Sequence, residues 1–87
     1  MQFKILIVDD EKKICAILSQ VLLEEGYITN AVGSGEEAIE KVNTFHPDLI
    51  LMDQNMPGIN GIETMVKIKS RFPEITSLLF WAVVVCR

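Results

Sequence analysis

Apolar runs without helical period alternate along this chain with segments whose apolar residues recur every three or four positions. That alternation narrows the choice of fold more than any other feature. Residues 4–9, KILIVD, are a continuous apolar run rich in β-branched side chains, the pattern of a parallel strand covered on both faces. In residues 11–25, Ile14, Leu18, Val21 and Leu22 recur at helical spacing, and Gly26 stands where a helix C-cap favours glycine. Residues 27–32, YITNAV, read as a second strand, more polar and so placed near a sheet edge. Ser34 with Glu37 three residues on is a capping box, and Ala38, Ile39, Val42 and Phe45 follow as one apolar face. His46-Pro47 breaks that helix. Residues 48–52, DLILM, form a third strand; Ile62, Met65, Val66 and Lys69 begin a third helix that Pro73 terminates; and a fourth apolar run, SLLFWAVVV, closes the 87 residues.

Strands and helices alternating at these lengths predict an α/β fold with a parallel sheet and right-handed crossovers. In open sheets of this kind ligands bind beyond the carboxyl ends of the strands. The chain places acids there: Asp9 and Asp10 end the first strand and Asp53 ends the third. If those strands are neighbours, three carboxylates meet at one crevice. Like charges that close oppose one another's ionisation and the fold itself, unless a cation sits among them. The donors are oxygens, with no His or Cys beside them in sequence to suggest zinc or copper, so Mg²⁺ is the expected ion. Asp53 then has a second possible role, as a nucleophile toward phosphorus. The plainer alternative, in which the acid pair only caps a helix and Asp53 only forms a turn, explains each acid singly but not their coincidence at adjacent strand ends.

The runs ILIVDD and LILMDQNMPGINGIE closely resemble the receiver domain of two-component response regulators, with the similarity extending from Lys4 to about Ala82. The resemblance implies a flavodoxin-like (CheY-like) doubly wound parallel sheet of strand order 2-1-3-4. It implies Asp53 as the phosphoacceptor, Asp9, Asp10 and Asp53 as Mg²⁺ ligands, and the backbone carbonyl of Asn55 as a further ligand. It also implies a histidine kinase or other phosphodonor as partner, and a domain that catalyses its own modification without being an enzyme in the ordinary sense.

The chain departs from that family at its C-terminal end. A complete receiver continues through a fourth helix, a fifth strand and a fifth helix, so residues 1–87 are expected to be a truncated receiver with 83–87 as a divergent tail. None of Lys4, Lys12, Lys13, Lys41, Lys67 or Lys69 occupies the place of the family's strand-five lysine, and Trp81 falls where a Thr or Ser hydroxyl normally meets the phosphoryl group. An indole offers one N–H donor on a bulky ring, so phosphorylation is expected to be impaired while cation binding survives. The alternative is a degenerate receiver acting as a dimerisation or interaction module. A Mg²⁺-dependent phosphotransferase for small molecules is disfavoured, because DQN lacks a second acid two residues after Asp53. An apolar fourth strand left at a sheet edge predicts a homo-oligomer through that strand or the tail.

Eight Lys and Arg against twelve Asp and Glu leave a net charge of −4, which gives no reason to expect nucleic acid or anionic lipid as a direct partner. The first apolar run is too short for a signal peptide and the last too short for a membrane span, so a cytoplasmic chain is expected. Cys15 and Cys86 lack metal-type spacing and are expected to be reduced thiols. His46, beside Pro47, reads as a solvated loop residue rather than a phosphohistidine, and Met52, Met56 and Met65 as packing residues.

Overall fold

The computed structural model describes residues 3–52, 61–73 and 76–78. In chain order they form β1 (Lys4–Val8), α1 (Lys12–Glu24), β2 (Ile28–Val32), α2 (Gly35–Phe45), β3 (Leu49–Met52), α3 (Gly61–Arg71) and β4 (Thr76–Leu78). The four strands make one sheet of order β2-β1-β3-β4, and every neighbouring pair is parallel. β2 is an edge strand, as its polar character implied. Among the described residues β4 is the outer strand on the other side, and most of the apolar run that begins there lies outside the described residues.

β1 is the centre of the molecule because it carries no polar side chain between Ile5 and Val8. All four of these residues are at most 2% exposed, and burying each such side chain stabilises by about 1.5–3 kcal/mol. Strand pleating divides them by parity. Leu6 and Val8 join Ile50 and Met52 of β3, Ala38 and Val42 of α2 and Ile68 of α3 in one core cluster. Ile5 and Ile7 are left for the opposite face, where α1 packs on β1 and β2.

Two helices end on a left-handed residue, with different residues and different hydrogen bonds. After α1, the Gly26 N–H donates to the Leu23 carbonyl at 3.0 Å and the Tyr27 N–H to the Leu22 carbonyl at 3.1 Å, the paired bonds of a Schellman motif. Gly26 has φ +93°, which glycine adopts without steric cost. After α2 the left-handed position falls on His46, at φ 53° and ψ 60°. The chain then passes through buried Pro47 into Asp48. The start of α2 is the expected capping box: Ser34 Oγ accepts the Glu37 N–H at 3.1 Å, and Glu37 Oε1 accepts the Gly33 N–H at 2.8 Å.

The amino end of the sheet is locked by Asp48. Its N–H donates to the Lys4 carbonyl at 2.8 Å and its carboxylate accepts the Lys4 N–H at 2.8 Å, so one residue grips both backbone groups of its neighbour on β1. The Lys4 ammonium folds back to donate to the Phe45 carbonyl at 3.2 Å and lies over the Phe45 ring.

On two helices the apolar spacing does not coincide with the buried face. On α3, Ile62 and Val66 are 50% and 64% exposed, whereas Thr64 and Ile68 are at most 2% exposed. The inward stripe runs through Thr64, half-buried Met65, Ile68 and half-buried Phe72. On α1, Val21 is 50% exposed; Ile14, Leu18 and Leu22 face the sheet, half-buried. Apolar spacing marks a helix, but an exposed Ile or Val is too common for it to mark the inner face.

Candidate functional site

β1 and β3 run side by side in the register Ile5↔Leu49, Leu6↔Ile50, Ile7↔Leu51 and Val8↔Met52. The two strands therefore end level with each other. The next residues in sequence are Asp9 and Asp53, two of the three acids that the sequence reading set at one rim. Asp53 and Asn55 lie outside the described residues, as do Met56, Trp81 and Cys86.

Asp9 and Asp10, alike in sequence, have different surroundings. Asp9 is 2% exposed and Asp10 is exposed. Asp9 continues the pleat parity of Ile5 and Ile7, which carries its side chain under the start of α1. Oδ1 of Asp9 accepts the Glu11 N–H at 2.9 Å, an Asx-type turn that satisfies one of the amide groups at the entrance of the helix. The Asp9 backbone is held as firmly. Its N–H donates to the Val32 carbonyl on β2 at 3.1 Å, and its carbonyl accepts the Cys15 S–H at 3.3 Å.

These bonds answer the capping alternative. Glu11, not either aspartate, is the N-cap of α1, and its side chain makes no capping bond. Asp9 contributes to the helix entrance through one oxygen while its carboxylate stays at the strand end. The Glu11 N–H on Oδ1 offsets part of the cost of burying this carboxylate.

An open cleft of about 770 Å³ adjoins the acid pair, between the start of α1, the end of β2 and the face of α2. Asp9, Asp10, Lys12, Cys15, Glu40 and Lys41 are among the residues that line it. Sequence reading identified the two aspartates and overlooked the rest. Cys15 falls one helical turn beyond Glu11 and its N–H bonds the Glu11 carbonyl at 3.1 Å, which is why it faces the same loop. Lys12 and Lys41 sit 29 positions apart, on different helices, and only the packing of α1 and α2 around β2 brings them to one cleft.

No group of three acid, thiol or imidazole side chains able to hold a metal occurs among the described residues. Asp9 and Asp10 supply two carboxylates of such a group. The nearby thiol turns its proton to the Asp9 carbonyl, so the donors offered at this rim are oxygens, the type that suits Mg²⁺ or Ca²⁺ rather than zinc or copper. No helix among the described residues is long and apolar enough to cross a membrane.

Comparison with known proteins places this architecture. The family model for the response regulator receiver domain matches residues 5–82. The chain is 42% identical over 69 residues to sporulation initiation phosphotransferase F of Bacillus subtilis, covering 79% of this chain and 56% of that protein. Across three curated relatives, that one included, the match spans 28%, 24% and 56% of their length. Among solved structures, response regulator TrrA of Thermotoga maritima in complex with Mg²⁺-BeF superposes with a TM-score of 0.76 at 41% identity, covering 82% of this chain and 61% of that one. The complex of histidine kinase ThkA with TrrA contains a chain similar at a TM-score of 0.82 and 38% identity, covering 88% and 66%.

Proposed function

Because the chain belongs to the family of response regulator receiver domains, we propose that it accepts a phosphoryl group on Asp53 in a two-component phosphorelay. The observation that carries this reading is the level ending of β1 and β3, which sets buried Asp9 beside the strand whose next residue is Asp53. One solved relative, TrrA, seen in complex with Mg²⁺-BeF and also in complex with a histidine kinase, supports this assignment of cation and donor.

The oxygen donor set fits Mg²⁺. Asp9, Asp10, Asp53 and the Asn55 carbonyl would hold it, and when bound it would neutralise charge on the phosphoryl oxygens. The remaining work falls to the chain. An Asp53 carboxylate oxygen attacks phosphorus, an O–P bond forms, and the bond from phosphorus to the donor's oxygen or nitrogen breaks with its electron pair leaving on the donor. Asp9 cannot turn toward the incoming phosphoryl group, because Oδ1 is bonded to the Glu11 N–H and its backbone is tied to both β2 and α1. That fixity supports the role of ligand for Asp9, with Asp53 as nucleophile.

Trp81 at the family's hydroxyl position removes a donor to charge that develops on phosphorus, worth a rate factor of roughly 10²–10³. Treatment with acetyl phosphate and Mg²⁺, followed by intact-mass measurement and peptide mapping, is expected to give slow modification at Asp53. The modification is absent in Asp53→Asn and faster in Trp81→Thr. Modification that persists in Asp53→Asn would refute the assignment.

A further inference from the structure

The outer surface of α1 is more apolar than a helix facing water requires. Of the large apolar side chains exposed among the described residues, Ile17, Val21 and Leu23 lie on this helix. Phe3 and Tyr27, also exposed, meet edge to face just past its end, where the Tyr27 N–H bonds the Leu22 carbonyl. Because α1 turns Ile14, Leu18 and Leu22 to the sheet, Ile17 and Val21, one helical turn apart, are left outside the core. Lys13, Ile17, Gln20 and Glu24 are all exposed and follow one another at intervals of four, three and four residues. That spacing sets them along one stripe, with Val21 at its margin. Within the stripe the Gln20 amide donates to the Glu24 carboxylate at 3.1 Å.

The charges of the stripe run against the dipole of their own helix. The first turn of α1 carries no acid and the last turn no base; Lys12 and Lys13 open the helix, and Glu24 and Glu25 stand at its close. Asp10 and Glu11 lie ahead of the helix and outside the stripe. A helix dipole favours the reverse order, so this layout does not serve the isolated helix. It is, however, complementary to itself when reversed. Positions 13 and 24 are centred on the same point as positions 17 and 20. A second α1 laid antiparallel about that point brings Lys13 to the partner's Glu24, and by symmetry Glu24 to the partner's Lys13, with the apolar side chains between them. A parallel pair would oppose like charges at both ends.

We propose that the outer stripe of α1 is a self-association surface, on which a second copy of this chain docks its own α1 antiparallel about a two-fold axis. This surface is distinct from the fourth strand and the tail, and its use requires no phosphorylation.

Sedimentation velocity of the full chain over a range of concentrations, at low salt and with reductant present, tests the arrangement. Lys13→Glu and Glu24→Lys are each expected to raise the dissociation constant about tenfold, because in a two-fold pair each change puts two like-charge contacts where two opposite ones stood. Mixed in equal amounts, the two variants are expected to associate as tightly as the unaltered chain, since every charged contact in the mixed pair is again between opposite signs. Recovery on mixing separates a surface effect from damage to the fold, which far-UV circular dichroism of each variant also checks. Ile17→Gln is expected to weaken association in every background. Lys67→Glu, the same change of charge at an exposed position on α3, is expected to leave it unaltered. A monomer at every concentration, no recovery on mixing, or an equal loss in Lys67→Glu would overturn the proposal. So would association that persists in Ile17→Gln and in both charge variants but disappears when residues 79–87 are removed, which would assign it to the tail.

Discussion

The ends of α1 and α2 make opposite predictions from one geometry. Gly26 sits at φ +93°, and a Cβ added there would meet nothing within 4 Å. The cost of Gly26→Ala is therefore local: a left-handed backbone disfavours a side chain by about 1–2 kcal/mol, and the smaller entropy of the unfolded chain returns about 0.4–1 kcal/mol. A net loss of about 1 kcal/mol remains, a fall in Tm of about 5 °C for a chain of this size. His46 sits in the left-handed region with a side chain, at φ 53°. The same two contributions reverse in His46→Gly, giving a gain of about 0.5 kcal/mol and a rise of about 3 °C. Thermal and urea melts followed by far-UV circular dichroism measure both, with the urea m-value unchanged because neither change alters the surface buried. Shifts of the same sign in the two variants, or no fall in Gly26→Ala, would refute the claim that backbone handedness sets the stability of these helix ends.

Three further outcomes follow from the fold and the site. Ile68→Ala should cost about 2–4 kcal/mol because Ile68 is 2% exposed in the core cluster. Val66→Ala, at a position 64% exposed, should stay within about 0.5 kcal/mol, and equal losses in the same urea melts would invalidate the inward stripe of α3. Asp48→Ala removes the carboxylate that accepts the Lys4 N–H and should destabilise by about 1 kcal/mol, with hydrogen exchange at Lys4 rising first; unaltered protection there would contradict the lock. Mg²⁺ at ten times its dissociation constant should stabilise the chain by about 1.4 kcal/mol, and Asp9→Ala should abolish that increment in a thermal shift series with calcium and potassium as comparisons.

The parts of this molecule that were legible in its sequence are those set by local chemistry. Ser34 and Glu37 satisfy amide groups within four residues of themselves, and Gly26 supplies a backbone conformation open to few other residues, so each marks a helix end without help from the rest of the chain. The apolar run of β1 announces a strand covered on two faces. What stayed hidden depends on parity and on packing. Asp9 and Asp10 are indistinguishable in a string of letters; only the pleat of β1 turns one beneath α1 and leaves the other in water. Ile62 and Val66 look like core and Thr64 does not, yet the orientation of α3 on the sheet decides otherwise. His46 carries no sign of a left-handed backbone, since histidine is one of several residues tolerated there. The pairing of Lys12 with Lys41 across the cleft exists only once α1 and α2 lie on either side of the end of β2.

The grip of Asp48 on Lys4 has a consequence at the far end of the strands. Both strands leave it in step and travel the same number of residues to the paired ends Val8 and Met52, a path of about 13 Å at the usual rise per residue. A ruler zeroed at one margin thus decides which letters emerge together at the other. Adding one residue between Lys4 and Asp9, and none between Asp48 and Asp53, would leave an intact lock and a miscounted rim.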